Sequence, residues 1–154
     1  MILLYGADTA EKIKAEISGM LSELKGYIPT LGIVRIGSNP SDISYEKGAV
    51  KKMESLSLKT KVFEFDENIS SEDFIEEFKK INEDDKIDGI LLFRPLPEHI
   101  DEKKVIEVLD ERKDLDGISY KNIAKVFAGD ESGFAPCTAK AVIKILESNN
   151  IELE

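Results

Sequence analysis

The sequence contains a single cysteine, Cys137, and a single histidine, His99, in 154 residues. One cysteine cannot form an intramolecular disulfide, and one cysteine with one histidine cannot supply the ligands of a structural zinc site. We therefore expect no metal site. No histidine is placed by sequence to activate Cys137, so we interpret it as a buried structural thiol rather than a nucleophile. We interpret His99, beside a proline turn, as a surface residue.

The chain also lacks a long apolar run and an excess of positive charge. No stretch approaches the roughly 20 apolar residues that cross a bilayer, and the N-terminus lacks the basic flank of a secretory signal. The net charge of −10 disfavours nucleic acid binding, which depends on patches of lysine and arginine. We therefore expect a cytoplasmic protein with no membrane or nucleic acid partner.

Generic catalytic motifs are missing as well. The sequence has no Gly-x-Ser-x-Gly elbow, no glycine-rich phosphate loop with lysine, and no Gly-x-Gly-x-x-Gly fingerprint. Spacing alone therefore identifies no reaction. The best candidates for a site are Tyr45 on a helix, the turn Pro95-Leu96-Pro97, and Asp116 next to Gly117.

What the sequence does contain is an alternation of strands and helices in a chain of single-domain length. Apolar periodicity predicts helices at 10–25, from 41 or 42 to 56, after Ser70 and Ser71, at 103–109 and at 138–149, and strands at 31–36, 59–65 and 87–93. This order predicts a three-layer α/β/α domain with a mostly parallel sheet. Ligands of such sheets bind beyond the carboxyl ends of the strands, where the loops 37–40 and 94–97 lie.

Four short motifs follow one another along the chain. They are Val34-x-Ile36-Gly37-x-x-Pro40 with Tyr45, Gly89-Ile90-Leu91 with Pro95-Leu96-Pro97, Lys113-Asp114-Leu115-Asp116-Gly117, and Gly133-Phe134-x-Pro136-Cys137-Thr138. Each is weak evidence alone, but in this order and at these separations they resemble the catalytic domain of the methylenetetrahydrofolate dehydrogenase/cyclohydrolase family. The resemblance implies a single folate-binding catalytic domain over residues 1–154, without the Rossmann nucleotide-binding domain.

The resemblance also implies roles for individual residues. Tyr45 and Asp116 would be the catalytic positions, the ring packing against the aminobenzoyl ring of the folate and the carboxylate accepting hydrogen bonds from the pterin. The expected substrate-binding residues are Tyr45, Ala49, Phe93, Arg94, Pro95, Leu96 and Asp116. NADP or NAD would be bound by a domain outside this chain. Family members commonly form homodimers, so a homodimer is expected.

Two positions depart from the family pattern. The family places a catalytic lysine four residues after the tyrosine, where this chain has Ala49, and a glutamine where this chain has Phe93. These two groups support cyclohydrolysis through proton transfer, whereas hydride transfer depends more on the positioning of the substrate. The sequence therefore predicts a dehydrogenase whose cyclohydrolase activity is weak or absent.

Nearby cations are candidates to compensate for the missing lysine. Arg35 and Arg94 stand near strand ends where the family usually has apolar residues. Lys52 follows Tyr45 by seven residues and returns to nearly the same helix face, about 10 Å further along the axis. An arginine could hold a carboxylate but is a poor general base.

We thus predict the folate-binding half of an NAD- or NADP-dependent oxidoreductase, either as a fragment or as a subunit of a split enzyme. Two alternatives stay open. A folate-binding or regulatory module without catalysis would also explain Ala49 and Phe93, and an oligomerisation module with a vestigial pocket would bind no folate.

Overall fold

The computed structural model describes residues 3–152, so the ends of the expected domain span 1–154 lie outside the described residues. The strands are β1 (Thr30–Ile36), β2 (Lys59–Phe65) and β3 (Gly89–Leu92). The helices are α1 (Ala7–Glu23), α2 (Pro40–Ser55), α3 (Ser71–Glu83), α4 (Glu102–Val108), α5 (Tyr120–Phe127) and α6 (Cys137–Ser148). No helix within 3–152 is long and apolar enough to cross a membrane.

The three strands form one parallel sheet in the order β2-β1-β3. β1 is therefore the central strand, and its residues from Gly32 to Ile36 are all buried. The near-continuous apolar character of β1 is typical of a parallel strand covered on both faces. In register, Val34 of β1 stands between Phe63 of β2 and Leu92 of β3.

Helices cover the two faces of the sheet. On one face, Val34 and Ile36 join a core with Phe74 and Phe78 of α3 and with Val105 of α4. On the other face lies α2, which contacts β2 and forms an ion pair with β1. The expected α/β/α domain with a parallel sheet is confirmed.

Helix caps explain where the elements around the site begin. Asn39 accepts a hydrogen bond from the Ser41 backbone N–H at 2.8 Å, and Pro40 occupies the first turn, so α2 starts slightly before the predicted position. Ser70 caps α3 by accepting from the Asp73 backbone N–H at 3.1 Å.

Helix α5 was not predicted from the sequence. It carries apolar residues at helical spacing, but their side chains are largely exposed, and Phe127 is 94% exposed. The apolar residues Ile123, Val126 and Phe127 recur at helical spacing, so their periodicity was already visible in the sequence. Together with the cap at Ser119, which accepts from the Asn122 backbone N–H, this periodicity is the signal that could have identified α5.

Candidate functional site

The carboxyl ends of β1 and β3 lie side by side, because the two strands are parallel neighbours. The loops that follow them therefore meet at one edge of the sheet. They line a cavity of about 600 Å³, which we call the loop cavity. Its walls include Gly37, Asn39, Pro95 and Leu96, so the structure brings together the two loops that the sequence predicted to flank a ligand.

Tyr45 projects from α2, one and a half turns after the helix begins. Tyr45 is 63% exposed, so much of its ring is accessible to solvent. The ring meets Phe93 edge-on, with the two centroids 5.4 Å apart and the planes inclined by 61°. One side of the Tyr45 ring is thus supported, while much of its surface stays open to a ligand.

Four of the predicted site residues meet in a second cavity, of about 270 Å³, which we call the central cavity. Its lining residues are Asp42, Tyr45, Leu91, Leu92, Phe93, Arg94 and Asp116. Tyr45, Phe93, Arg94 and Asp116 come from three separate segments of the chain. The fold therefore assembles one site from residues that are up to 71 positions apart, from Tyr45 to Asp116.

Ala49 lies on the other side of Tyr45. Together with Tyr45 and Lys52 it lines a third cavity, of about 800 Å³, along the exposed face of α2. Lys52 is therefore on the same helix face as Tyr45, as its spacing predicted, but it does not line the central cavity. The Ala49 side chain itself carries no group that can transfer a proton, and Lys52 lies one turn further along the same face.

Arg94 is held at the rim of the central cavity by Glu102, the first residue of α4. Its Nε donates to Glu102 Oε1 at 2.8 Å, and its terminal nitrogen donates to the same oxygen. The second oxygen of Glu102 accepts from the Leu96 backbone N–H at 3.4 Å. Glu102 thus fixes both the cation and the turn that follows β3, while the Arg94 side chain stays 40% exposed to a ligand.

Asp116 reaches the central cavity from the loop after α4, with Cys137 beside it. The Cys137 thiol donates to the Leu115 carbonyl at 3.0 Å. Burial raises the pKa of Cys137, and the charge of Asp116 raises it further, so the thiol stays protonated. We expected Cys137 to be buried, whereas in the structure the residue is exposed. Because its thiol stays protonated, Cys137 is not a nucleophile.

Arg35 was a candidate to face the ligand, but in the structure its side chain is buried among other groups of the protein. It is 3% exposed, and its guanidinium binds Glu46 of α2 at 2.9 Å, Glu64 of β2 at 3.0 Å and the Gly37 carbonyl. Burial would lower the pKa of Arg35, but the two carboxylates outweigh it and raise the pKa. Arg35 therefore serves as a structural ion pair that fastens α2 to the sheet.

Sequence reasoning missed two residues of the site. Asp42 lines both the central cavity and the loop cavity, and Glu102 holds Arg94. Asp42 lies three residues before Tyr45, one helical turn away, so its position on the same face was accessible from spacing. Glu102 gave no such signal, because nothing in the sequence pairs α4 with the end of β3.

No group of three or more His, Cys, Asp or Glu side chains within 3–152 could hold a metal. Within the same range, the loop after β1 reads Gly37-Ser38-Asn39-Pro40 and leads into α2 without the glycine pattern that accommodates a pyrophosphate. The polar groups at this edge of the sheet are arranged around the cavities described above.

Comparison with known proteins identifies the family. Residues 4–116 match the family described as tetrahydrofolate dehydrogenase/cyclohydrolase, catalytic domain. The bifunctional protein FolD of Clostridium kluyveri is 43% identical over 155 aligned positions, which cover 99% of this chain and 55% of that protein. The FolD protein of Alkaliphilus metalliredigens is also 43% identical, over 99% of this chain and 54% of its own length.

Solved structures agree with this match. The bifunctional enzyme FolD of Campylobacter jejuni superposes with a TM-score of 0.93 at 35% identity, covering all of this chain and 55% of its own. A methylenetetrahydrofolate dehydrogenase from the silkworm Bombyx mori gives a TM-score of 0.89 at 28% identity, covering 97% of this chain and 52% of its own. The chain spans about half the length of the relatives it matches. It belongs to the tetrahydrofolate dehydrogenase/cyclohydrolase catalytic-domain family.

Proposed function

We propose that this chain is the folate-binding catalytic domain of a methylenetetrahydrofolate dehydrogenase in which cyclohydrolysis is weak or absent. The observation that carries the proposal is the central cavity, where Tyr45, Phe93, Arg94 and Asp116 converge. An exposed aromatic ring, a cation and a carboxylate around one small cavity match the three parts of a reduced folate. These parts are an aromatic linker, an anionic tail and a pterin edge rich in N–H donors.

Each side chain has a distinct part in binding. The exposed face of Tyr45 packs against the aminobenzoyl ring, which adds about 0.5–1.5 kcal/mol beyond the burial of area. Asp116 accepts paired hydrogen bonds from the pterin, and charged hydrogen bonds of this kind contribute roughly 1.5–3 kcal/mol. Arg94 places a positive charge at the rim of the central cavity, where its exposed side can pair with the anionic tail of the folate.

Hydride transfer needs the one-carbon bridge to be held in a fixed orientation, and the cavity supplies that orientation. NADP or NAD would supply the hydride acceptor, held by a nucleotide-binding domain outside these 154 residues. The residues described here bind and orient the folate and exclude water from its buried face.

Hydrolysis of the methenyl bridge has different requirements. Water must lose a proton as it attacks, and a bridge nitrogen must gain one, so a side chain able to carry protons has to stand beside the bridge. On the two sides of Tyr45 this chain presents Ala49 and Phe93, and neither side chain has a titratable group. This pairing supports oxidation without efficient hydrolysis.

Calorimetric titration of the chain with 5-formyltetrahydrofolate, a stable reduced folate, tests the proposal. We expect saturable binding of one folate per chain, weakened at least about tenfold by Asp116→Ala, a loss of about 1.4 kcal/mol. Absence of binding to the folded chain would contradict the proposal and would favour an oligomerisation module.

A further inference from the structure

The loop that carries Asp116 is organised around a second aspartate, Asp114, which lies two residues earlier and is only 1% exposed. The Asp114 carboxylate accepts hydrogen bonds from the Ile118 backbone N–H at 3.1 Å and from the Ser119 backbone N–H at 2.8 Å. A third bond comes from Asn122 Nδ2 at 2.9 Å. Asp114 therefore closes residues 114–119 into a tight turn with Asp116 at its outer side.

Asn122 is the partner that connects this turn to the rest of the fold. It is completely buried, and its side chain makes three hydrogen bonds. Its Nδ2 donates to Asp114 and to the Glu111 carbonyl, both at 2.9 Å, and its Oδ1 accepts from the Phe134 backbone N–H at 3.0 Å. One side chain thus joins the start of the loop, helix α5 and the segment leading to α6.

The same loop is also attached to the sheet and to the segment before α6. The Ile90 backbone N–H of β3 donates to the Lys113 carbonyl at 2.6 Å, next to the β3 residues that line the central cavity. Gly117 has a φ of +64°, and a Cβ atom there would lie 2.3 Å from the Phe134 carbonyl oxygen. Asp116 is therefore confined between the edge of the sheet and the segment before α6, which Asn122 holds through the Phe134 backbone N–H.

The hydrogen-bonded network of Asp114 and Asn122 is buried, but Asp116, which lies beside it, is not. Asp114 and Asn122 lie in the interior, whereas Asp116 is partly exposed and lines the central cavity. Burial would raise the pKa of Asp114, but the bonds from Asn122 and Ser119 outweigh it and hold the pKa below the usual value, so the carboxylate stays charged and bonded. A buried, fully paired network of this kind fixes one geometry, because any movement leaves a polar group without its partner.

We propose that Asp114 and Asn122 are positioning residues, which hold the Asp116 carboxylate at the edge of the central cavity before the folate binds. The inference rests on the proposed function, because Asp116 is the group taken to bind the pterin. Neither residue lines the central cavity, so the proposed route of their effect on folate is through Asp116. Preorganisation of this kind increases affinity because the ordering of the loop is completed on folding rather than on binding.

A double-mutant cycle on the 154-residue chain tests this coupling, with 5-formyltetrahydrofolate as the titrant. We expect Asn122→Ala to raise the Kd about tenfold. In the Asp116→Ala background we expect Asn122→Ala to change the Kd less than about twofold, because the group through which it acts is gone. Fully additive losses would overturn the inference, since they would mean that Asn122 acts independently of Asp116.

Thr9→Val is the matched control for a merely structural effect. It removes a buried polar group whose hydroxyl bonds Ser148 at 2.6 Å, where α1 meets the far end of α6. Ser148 lies 11 residues after Cys137, or roughly 16 Å along the helix axis. We expect this variant to lower the urea midpoint and to leave the Kd unchanged.

Because Asn122 is completely buried, its replacement by alanine can also destabilise the fold. Two further measurements therefore do not depend on the alanine variant. Asn122→Ser retains a small polar group, and we expect it to raise the Kd by a smaller factor. In the unsubstituted chain, the amides of Ile118, Ser119 and Phe134 should exchange with solvent as slowly as those of β1. Exchange at the rate of an unstructured loop would overturn the inference without any variant.

The outcomes also separate this inference from the proposed function. If the unsubstituted chain binds no folate, both fail together. If it binds folate, and Asp116→Ala weakens binding while neither Asn122 variant does, the positioning role fails and the proposed function stands.

Discussion

The Tyr45 and Phe93 rings meet edge-on, with their centroids 5.4 Å apart. The two residues come from different elements, α2 and the end of β3, so the contact fixes the Tyr45 ring relative to the sheet. An edge-on partner leaves the exposed face of Tyr45 free, which is the face that a planar ligand needs.

This relationship leads to a first prediction about affinity. Tyr45→Leu should raise the Kd for 5-formyltetrahydrofolate about 2- to 10-fold, because it removes an aromatic contact of about 0.5–1.5 kcal/mol. Tyr45→Phe is the matched control, and it should stay within about twofold of the parent because it retains the ring. Calorimetric titration measures both variants. If leucine bound as well as phenylalanine, the ring would have no role in recognition.

The second prediction concerns the hydrolysis of methenyltetrahydrofolate. The loss of this substrate's absorbance measures the rate. The chain should hydrolyse this substrate little faster than buffer does. Ala49→Lys combined with Phe93→Gln should accelerate hydrolysis by roughly tenfold or more, since positioned proton-transfer groups typically contribute about 10²- to 10⁴-fold. Ala49→Met with Phe93→Leu adds comparable side chains without polar groups and should give no gain. Rapid hydrolysis by the unsubstituted chain would show that other residues move the protons.

The third prediction contrasts the two arginines near the strand ends. Arg35→Met should lower the free energy of unfolding by about 1–3 kcal/mol, because it leaves Glu46 and Glu64 without their shared partner. It should not change the folate Kd of the folded chain. Arg94→Met should do the opposite, with a small effect on urea stability, since its ion pair is partly exposed, and a higher Kd. A large rise in Kd for Arg35→Met at unchanged stability would restore the ligand role for Arg35.

The fourth prediction concerns the turn that carries Asp116. Gly117→Ala should lower the free energy of unfolding by about 2–4 kcal/mol, because the left-handed backbone and the contact with the Phe134 carbonyl both oppose a Cβ atom. Gly19→Ala in α1 is the control. Apart from the adjoining helix backbone, no atom lies within 4 Å of a Cβ there, and alanine favours helix, so stability should rise by about 0.5–1 kcal/mol. Urea denaturation measures both, and equal stabilities for the two variants would contradict the close packing of the turn.

Much of the fold was accessible from the sequence, because hydrophobic periodicity indicates the type of each element and the face it can bury. The predicted strand over 59–65 agrees with β2, and the prediction of a parallel sheet placed the loops after β1 and β3 at one edge. β3 is shorter than predicted, yet its hydrogen bonds continue on both sides, from Asp88 N–H to the Thr30 carbonyl and from Phe93 N–H to the Val34 carbonyl. The ends of a short strand depend on tertiary pairing, which periodicity does not contain.

The site was accessible only in part. Tyr45 and Asp116 could be singled out through the motif order, and the structure brings both to the central cavity. The orientation of Arg35 could not be read, because its partners Glu46 and Glu64 lie on other elements and no local spacing connects them. The same holds for Asp114 and Asn122. In the sequence Asp114 and Asp116 look alike, and only the fold turns one inward and the other toward the cavity.

The most direct test of folate recognition in the central cavity is a crystal structure of the chain with 5-formyltetrahydrofolate. We predict that the aminobenzoyl ring lies against Tyr45 and that the pterin edge lies within hydrogen-bonding distance of the Asp116 carboxylate. A folate bound elsewhere on the folded chain, with Tyr45 and Asp116 contacting no part of it, would contradict this assignment.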